Sequence, residues 1–103
     1  MLFAFSVAPS TTSSDDGSVS AVVAEAIKVV RDSGLPHRTD SMFTTIEGEW
    51  DEVMPVIKEA CEVVGRHSPR VSLVLKADLR PGFTGQLDAK VQRVEAHLSE
   101  LEL

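Results

Sequence analysis

Cysteine is almost missing from this chain of 103 residues: Cys61 stands alone, so no internal disulfide can hold the fold together. Tyrosine is absent, and Phe3, Phe5, Phe43, Phe83 and Trp50 are the only aromatic residues. Basic residues are outnumbered, with ten lysines and arginines against sixteen aspartates and glutamates, for a formal charge of -6. An acidic chain without a basic stripe has no electrostatic footprint for nucleic acid, whereas its field attracts a cationic small molecule. No apolar run is long enough to cross a bilayer. The apolar start "MLFAFSVAPS" lacks a basic leader and alternates like a strand, which makes it part of the fold and not a signal peptide. These absences leave a cytoplasmic protein as the expectation, without membrane or nucleic-acid partners.

What is present has clear periodicity. Residues 2–8 alternate as a strand that Pro9 should stop, and the turn-rich "PSTTSSDDG" over 9–17 reads as a mobile loop. Val19, Val22, Val23, Ala26, Ile27 and Val30 recur at three- and four-residue intervals, predicting a helix capped by Ser18 or Ser20 and closed by Gly34 and Pro36. Two short strands follow, over 37–40 and 42–47, turning near Asp40 and Ser41. Trp50, Val53, Met54, Ile57, Cys61 and Val64 form the stripe of a second helix running from Glu49 to Val64, with a late start or a kink expected at Pro55. "RVSLVLKADL" over 70–79 is a strand, and a third helix beginning near Thr84 carries Leu87, Val91, Val94, Leu98 and Leu101.

The order β-α-β-β-α-β-α predicts one α+β domain over 1–103, a ferredoxin-like βαββαβ sandwich with a four-stranded antiparallel sheet and an added C-terminal helix. In that arrangement both main helices cover one sheet face. The first strand is nevertheless apolar on both parities, with Phe3, Phe5 and Val7 on one and Leu2 and Ala4 on the other, so it expects cover on both sides. The third helix has a narrow seam suited to a helix–helix contact. Both features predict a homo-oligomer, with the second face buried by another copy or in part by the third helix.

Candidate functional residues are few. Glu47 and Glu49 flank Gly48 in "TTIEGEW"; Glu49 or Asp51 should cap the following helix, while Glu47 ends a strand and either meets solvent or lines a polar pocket. A catalytic carboxylate pair lacks any partner nucleophile. An enzyme on this chain would need Glu47 or His37 as its base. His37, His67 and His97 are scattered, and no spacing among them or Cys61 resembles a metal set. The glycine and serines of "DDGSVS" match no phosphate-binding fingerprint and sit beside two aspartates. Phe43 is more informative, lying beside Thr44, Thr45 and Glu47. A ring, two hydroxyls and a carboxylate suit a flat, hydrogen-bonding heterocycle.

In order and spacing, "FSVAP", "SVSAVVAEAIKVVRDSGL", "MFTTIEGEWDEVM", "RVSLVLKAD" and "KVQRVE" resemble the small thiamine-binding protein family, with the "IEGEWDEVM" block the most specific. The resemblance implies a single ferredoxin-like domain that forms homodimers or homotetramers. It also implies binding of thiamine or its hydroxymethylpyrimidine moiety, without catalysis and without a cofactor or metal. It places Ser6, Thr44 and Glu47 in the ligand site; the chemistry of such a ligand then suits Thr44 or Thr45 as hydroxyl partners and Phe5 or Phe43 as the stacking ring. The chain departs from many relatives in having Phe43 in place of glycine and Ala4 in place of an acid. On this reading Glu47 would accept from the pyrimidine amine, and Glu47→Gln would weaken binding at least about tenfold.

Overall fold

The computed structural model describes residues 1–10 and 19–102. Its elements are β1 (Leu2–Pro9), α1 (Ser20–Asp32), β2 (His37–Thr39), β3 (Thr44–Glu47), α2 (Trp50–Gly65), β4 (Val71–Asp78) and α3 (Gln86–Leu101). The four strands form one antiparallel sheet in the order β2-β3-β1-β4, so β1 is central and both crossovers, through α1 and α2, lie on one face. This is the βαββαβ order with an added helix that the hydrophobic pattern predicts.

The period of two in β1 decides which face is core. Phe3, Phe5 and Val7 are buried, and register places Phe3 between Ile46 and Ala77 and Phe5 between Thr44 and Leu75. Against that layer α1 contributes Ala26 and Val30, and α2 contributes Val53, Ile57, Ala60 and Val64. Each fully buried large apolar side chain of this set stabilises the fold by roughly 1.5–3 kcal/mol relative to exposure. Trp50 sits at the rim, half exposed, with its ring edge-on to Phe3 at a centroid distance of 5.9 Å.

Several boundaries differ from the sequence reading, each for a local reason. Pro9 does not stop β1 but ends it, paired with Val71, and the Ser10 N–H still reaches the Arg70 carbonyl at 2.9 Å. The mobile loop expected over 9–17 lies outside the described residues from 11 onward. α1 opens after Val19, which offers no side-chain cap, so Ser20 is the first helical residue and not the cap position, and Ser18 is outside the described residues. Gly34 closes α1 as predicted, at φ +75° with its N–H on the Arg31 carbonyl. β3 starts at Thr44 and not at residue 42, because residues 40–43 make the turn, with the Asp40 N–H on the Phe43 carbonyl at 2.8 Å. α2 starts at Trp50 and runs through Pro55, which removes only the N–H that would have met Asp51. Its start is held by Glu52, whose carboxylate accepts from the Glu49 N–H at 2.9 Å.

α3 behaves least like a core helix, since none of its residues is buried. Its first turns cross the far end of the open sheet face, tied to one residue on each of three strands. Arg38 of β2 pairs with Asp88 at 2.6 Å, Glu47 of β3 receives backbone amides, and Asp78 of β4 pairs with Lys90. Beyond Lys90 the helix projects. The radius of gyration is 15.8 Å, against about 13 Å for a compact domain of this length.

Candidate functional site

A cavity of about 250 Å³ opens where β3 turns away from β1. Its walls are Phe5 to Ala8 of β1, Val19, Val23 and Ile27 of α1, and Thr39 to Thr44 of the β2–β3 turn. The cavity exists because the strands are unequal. β1 has eight residues and β3 only four, so the second half of β1 keeps β4 on one side and, among the described residues, has no strand neighbour on the other.

Of the residues singled out from the sequence, Phe5, Ser6, Phe43 and Thr44 all line this cavity. Thr44 is buried, and its hydroxyl lies 3.1 Å from that of Thr39. Phe43 is at the mouth, more than a third exposed, where a ring can cover a ligand without filling the space below. Ser6 lines the cavity from the opposite side of the strand, because alternation assigns its side chain to the open sheet face. The turn adds Asp40, an exposed carboxylate at the mouth. Sequence reasoning treated Asp40 only as a turn former, and Val19, Val23 and Ile27 only as core. The available signal was that α1's apolar stripe is wider than the two residues it fully buries.

Thr45 and Glu47 are not brought to this cavity. Thr45 lies opposite Ala4 on the open face. Glu47, only 7% exposed, is at the other end of the sheet, where Oε2 accepts from the Gln86 N–H at 3.0 Å and Oε1 from the Leu87 N–H at 3.4 Å. Those amides open α3, whose own cap position is Gly85 at φ +68° with no side chain to offer. The strand-end carboxylate therefore caps a helix 39 residues later in the chain. A second, shallower cavity of about 350 Å³ lies beside it, lined by Leu35, Pro36, Gly48, Glu52, Gly85 and Leu87 among others. The carboxylate's partners there are backbone amides.

The remaining candidates have local roles. His37 donates Nδ1–H to the Leu35 carbonyl at 2.8 Å, and the His67 ring meets Glu25 at 2.6 Å. Cys61 is half-buried, and burial, reinforced by Glu62, pushes its thiol above the usual value. Among the described residues no three histidine, cysteine or carboxylate side chains gather as metal ligands.

Comparison with known proteins extends this picture. Residues 3–95 match the family described as thiamine-binding protein. The chain is 52% identical over 99 residues to UPF0045 protein Mb1933 of Mycobacterium bovis, covering 95% of this chain and 94% of that protein. It is 35% identical over 82 residues to UPF0045 protein sll0230 of Synechocystis sp., covering 79% and 68%. Among solved structures, a hypothetical protein of Methanocaldococcus jannaschii superposes with a TM-score of 0.80 at 30% identity, over 91% of this chain and 94% of that one. A Thermotoga maritima protein, named for a proposed role in thiamine biosynthesis or salvage, gives a TM-score of 0.72 at 25% identity over 88% and 96%.

Proposed function

This chain belongs to the thiamine-binding protein family, and from that premise we propose that it binds thiamine through the hydroxymethylpyrimidine ring, without catalysis. The site is the cavity between β1, α1 and the β2–β3 turn, and the protein acts in the cytoplasm as a carrier, buffer or sensor. The observation that carries this reading is the convergence of Phe5, Ser6, Phe43 and Thr44 on one cavity. Its volume, about 250 Å³, is below the roughly 300–1,000 Å³ of sites that enclose drug-sized ligands. It therefore suits one substituted ring, with the thiazolium left at the mouth. There the cation meets the face of Phe43 and the carboxylate of Asp40, both favourable for a positive charge.

Self-association belongs to the same proposal. Val91, Val94, Leu98 and Leu101 stand 43–81% exposed along α3, while Val74 adds 54% exposure on the open face. Exposed apolar side chains at that helical spacing support an interface, and a second copy of the chain is the proposed occupant. The dimer or tetramer so formed would flank the sheet face that carries Ser6 and Thr45.

Calorimetry with thiamine, its phosphates and hydroxymethylpyrimidine tests the ligand, with thermal melting beside it. At a ligand concentration one hundredfold above Kd, linkage adds about 2.7 kcal/mol, enough to raise the Tm of so small a domain by roughly 10 °C or more. Phe43→Ala should weaken binding of thiamine more than that of the free pyrimidine. Absence of heat and of any melting shift with all these compounds would overturn the reading in favour of an oligomeric module without a small-molecule ligand. The exposed α3 seam supports that alternative independently.

A further inference from the structure

The ladder of β1 identifies the part of this cavity that does the reading. The Met1 carbonyl accepts from the Gly48 N–H at 3.1 Å, on the β3 side, and the Ser10 N–H donates to Arg70 at 2.9 Å, on the β4 side. Successive residues of an antiparallel strand turn their N–H and C=O to opposite neighbours. Odd-numbered residues of β1 therefore serve β3 and even-numbered ones serve β4. Phe3 and Phe5 face Ile46 and Thr44 accordingly. The next odd residue is Val7, whose partner would be residue 42, but the chain is already turning there. No described residue pairs with the N–H and C=O of Val7 on that side, although Val7 is 5% exposed and lines the cavity. Pro9, the following odd position, has no N–H to lose, which explains why a proline is accepted in a central strand.

We propose that the backbone N–H and C=O of Val7 form a donor–acceptor edge that recognises a planar heterocycle carrying an amino group beside an unprotonated ring nitrogen. The amino group donates to the Val7 carbonyl and the ring nitrogen accepts from the Val7 N–H, so the ring occupies the place that β3 vacates. A backbone pair inside a cavity must be satisfied by something. A ring edge does so with two hydrogen bonds that need no charge on the protein. The inference rests on the pyrimidine reading above and extends it, because it names the backbone atoms that read the ring and makes the amino group the discriminating feature.

The test uses the full chain, labelled with nitrogen-15. In the free protein the Val7 amide should exchange with solvent faster than the Phe5 amide, which is laddered to Thr44. Saturating 4-amino-5-hydroxymethyl-2-methylpyrimidine should shift the Val7 amide resonance and slow its exchange. The same pyrimidine lacking the 4-amino group should bind at least about tenfold more weakly, since it leaves a carbonyl unpaired. Val7→Pro, which deletes the donor, should weaken binding similarly; the amide measurements on the unmodified chain keep the test decisive if that variant does not fold. Binding of the amino compound with the Val7 amide unmoved, or equal affinity for both pyrimidines, overturns this inference and leaves the cavity assignment standing. Failure of every pyrimidine to bind overturns both.

Discussion

Removing the Glu47 carboxylate should loosen α3 and leave the ligand cavity alone. The carboxylate is buried and accepts from the Gln86 and Leu87 amides, two of the donors that a helix start leaves free. Losing a cap costs about 1 kcal/mol, and losing a negative charge at a helix N-terminus costs a further 0.3–1 kcal/mol or so. Glu47→Ala should therefore cost about 1–2 kcal/mol; Glu47→Gln keeps one acceptor oxygen and should cost less. Because no residue of α3 is buried, the helix can detach while the core stays folded. The expected signature is local: amide exchange in the first turns of α3 accelerates by about tenfold, since 1.4 kcal/mol is a factor of ten, whereas Phe3 and Ile46 amides keep their protection. Thiamine affinity should stay within a factor of two or so of wild type, given that the carboxylate is not at the cavity. A tenfold loss of affinity in Glu47→Gln with α3 protection unchanged would refute the capping account and return Glu47 to the ligand.

Three further outcomes follow from particular contacts. Gly48→Ala places a Cβ 2.9 Å from Val53 Cγ2, inside a core with no room to yield, so urea denaturation should show a loss of about 1–3 kcal/mol; an unchanged midpoint would contradict it. The Lys90 ammonium holds the Asp78 carboxyl below its ordinary 3.8. A lowered folded-state value means that the pair's contribution is present above that ordinary value and is lost as pH falls through the lowered one. Carbon-13 titration of Lys90→Met should move Asp78 back toward 3.8, and an identical curve would disprove the pairing. Val94→Asp with Leu98→Asp should abolish self-association in sedimentation, and a wild-type chain that is already monomeric at micromolar concentration would sink the interface.

Elements with a strong period were legible in the sequence, and those set by distant contacts were not. The alternation of Phe3, Phe5 and Val7 and the stripe Val53, Ile57, Val64 predict both the strand and the helix that cover each other. Register puts Leu73, Leu75 and Ala77 of β4 on the same parity as Val7, Phe5 and Phe3. Leu73 nevertheless remains 43% exposed, because β4 is an edge strand. The sequence places the start of α3 near Thr84, after "RPGFTG". Its true cap comes from Glu47, and no short-range rule connects a strand end to a helix that distant. The doubly apolar parity of β1 was also only half answered. α3 covers the open face at the Glu47 and Asp78 end and leaves Ala4 and Ala8 partly exposed.

The cavity shows what kind of information a sequence hides. Its side chains Phe5, Ser6, Phe43 and Thr44 are legible by type, since aromatic rings and hydroxyls suit a heterocycle, whereas the turn carboxylate Asp40 is not. Its recognition edge has no side chain, because it is the backbone of a valine that looks like any other core residue. What creates it is a difference in strand length, and that becomes visible only when register is known. One signal was nonetheless available. Pro9 reads from the sequence as a terminator, yet a proline paired as the last residue of a central strand identifies a side on which no N–H is needed. Since parity repeats every two residues, Pro9 points to Val7 as lying on that same vacant side, and to Phe5 as the last residue with a neighbour.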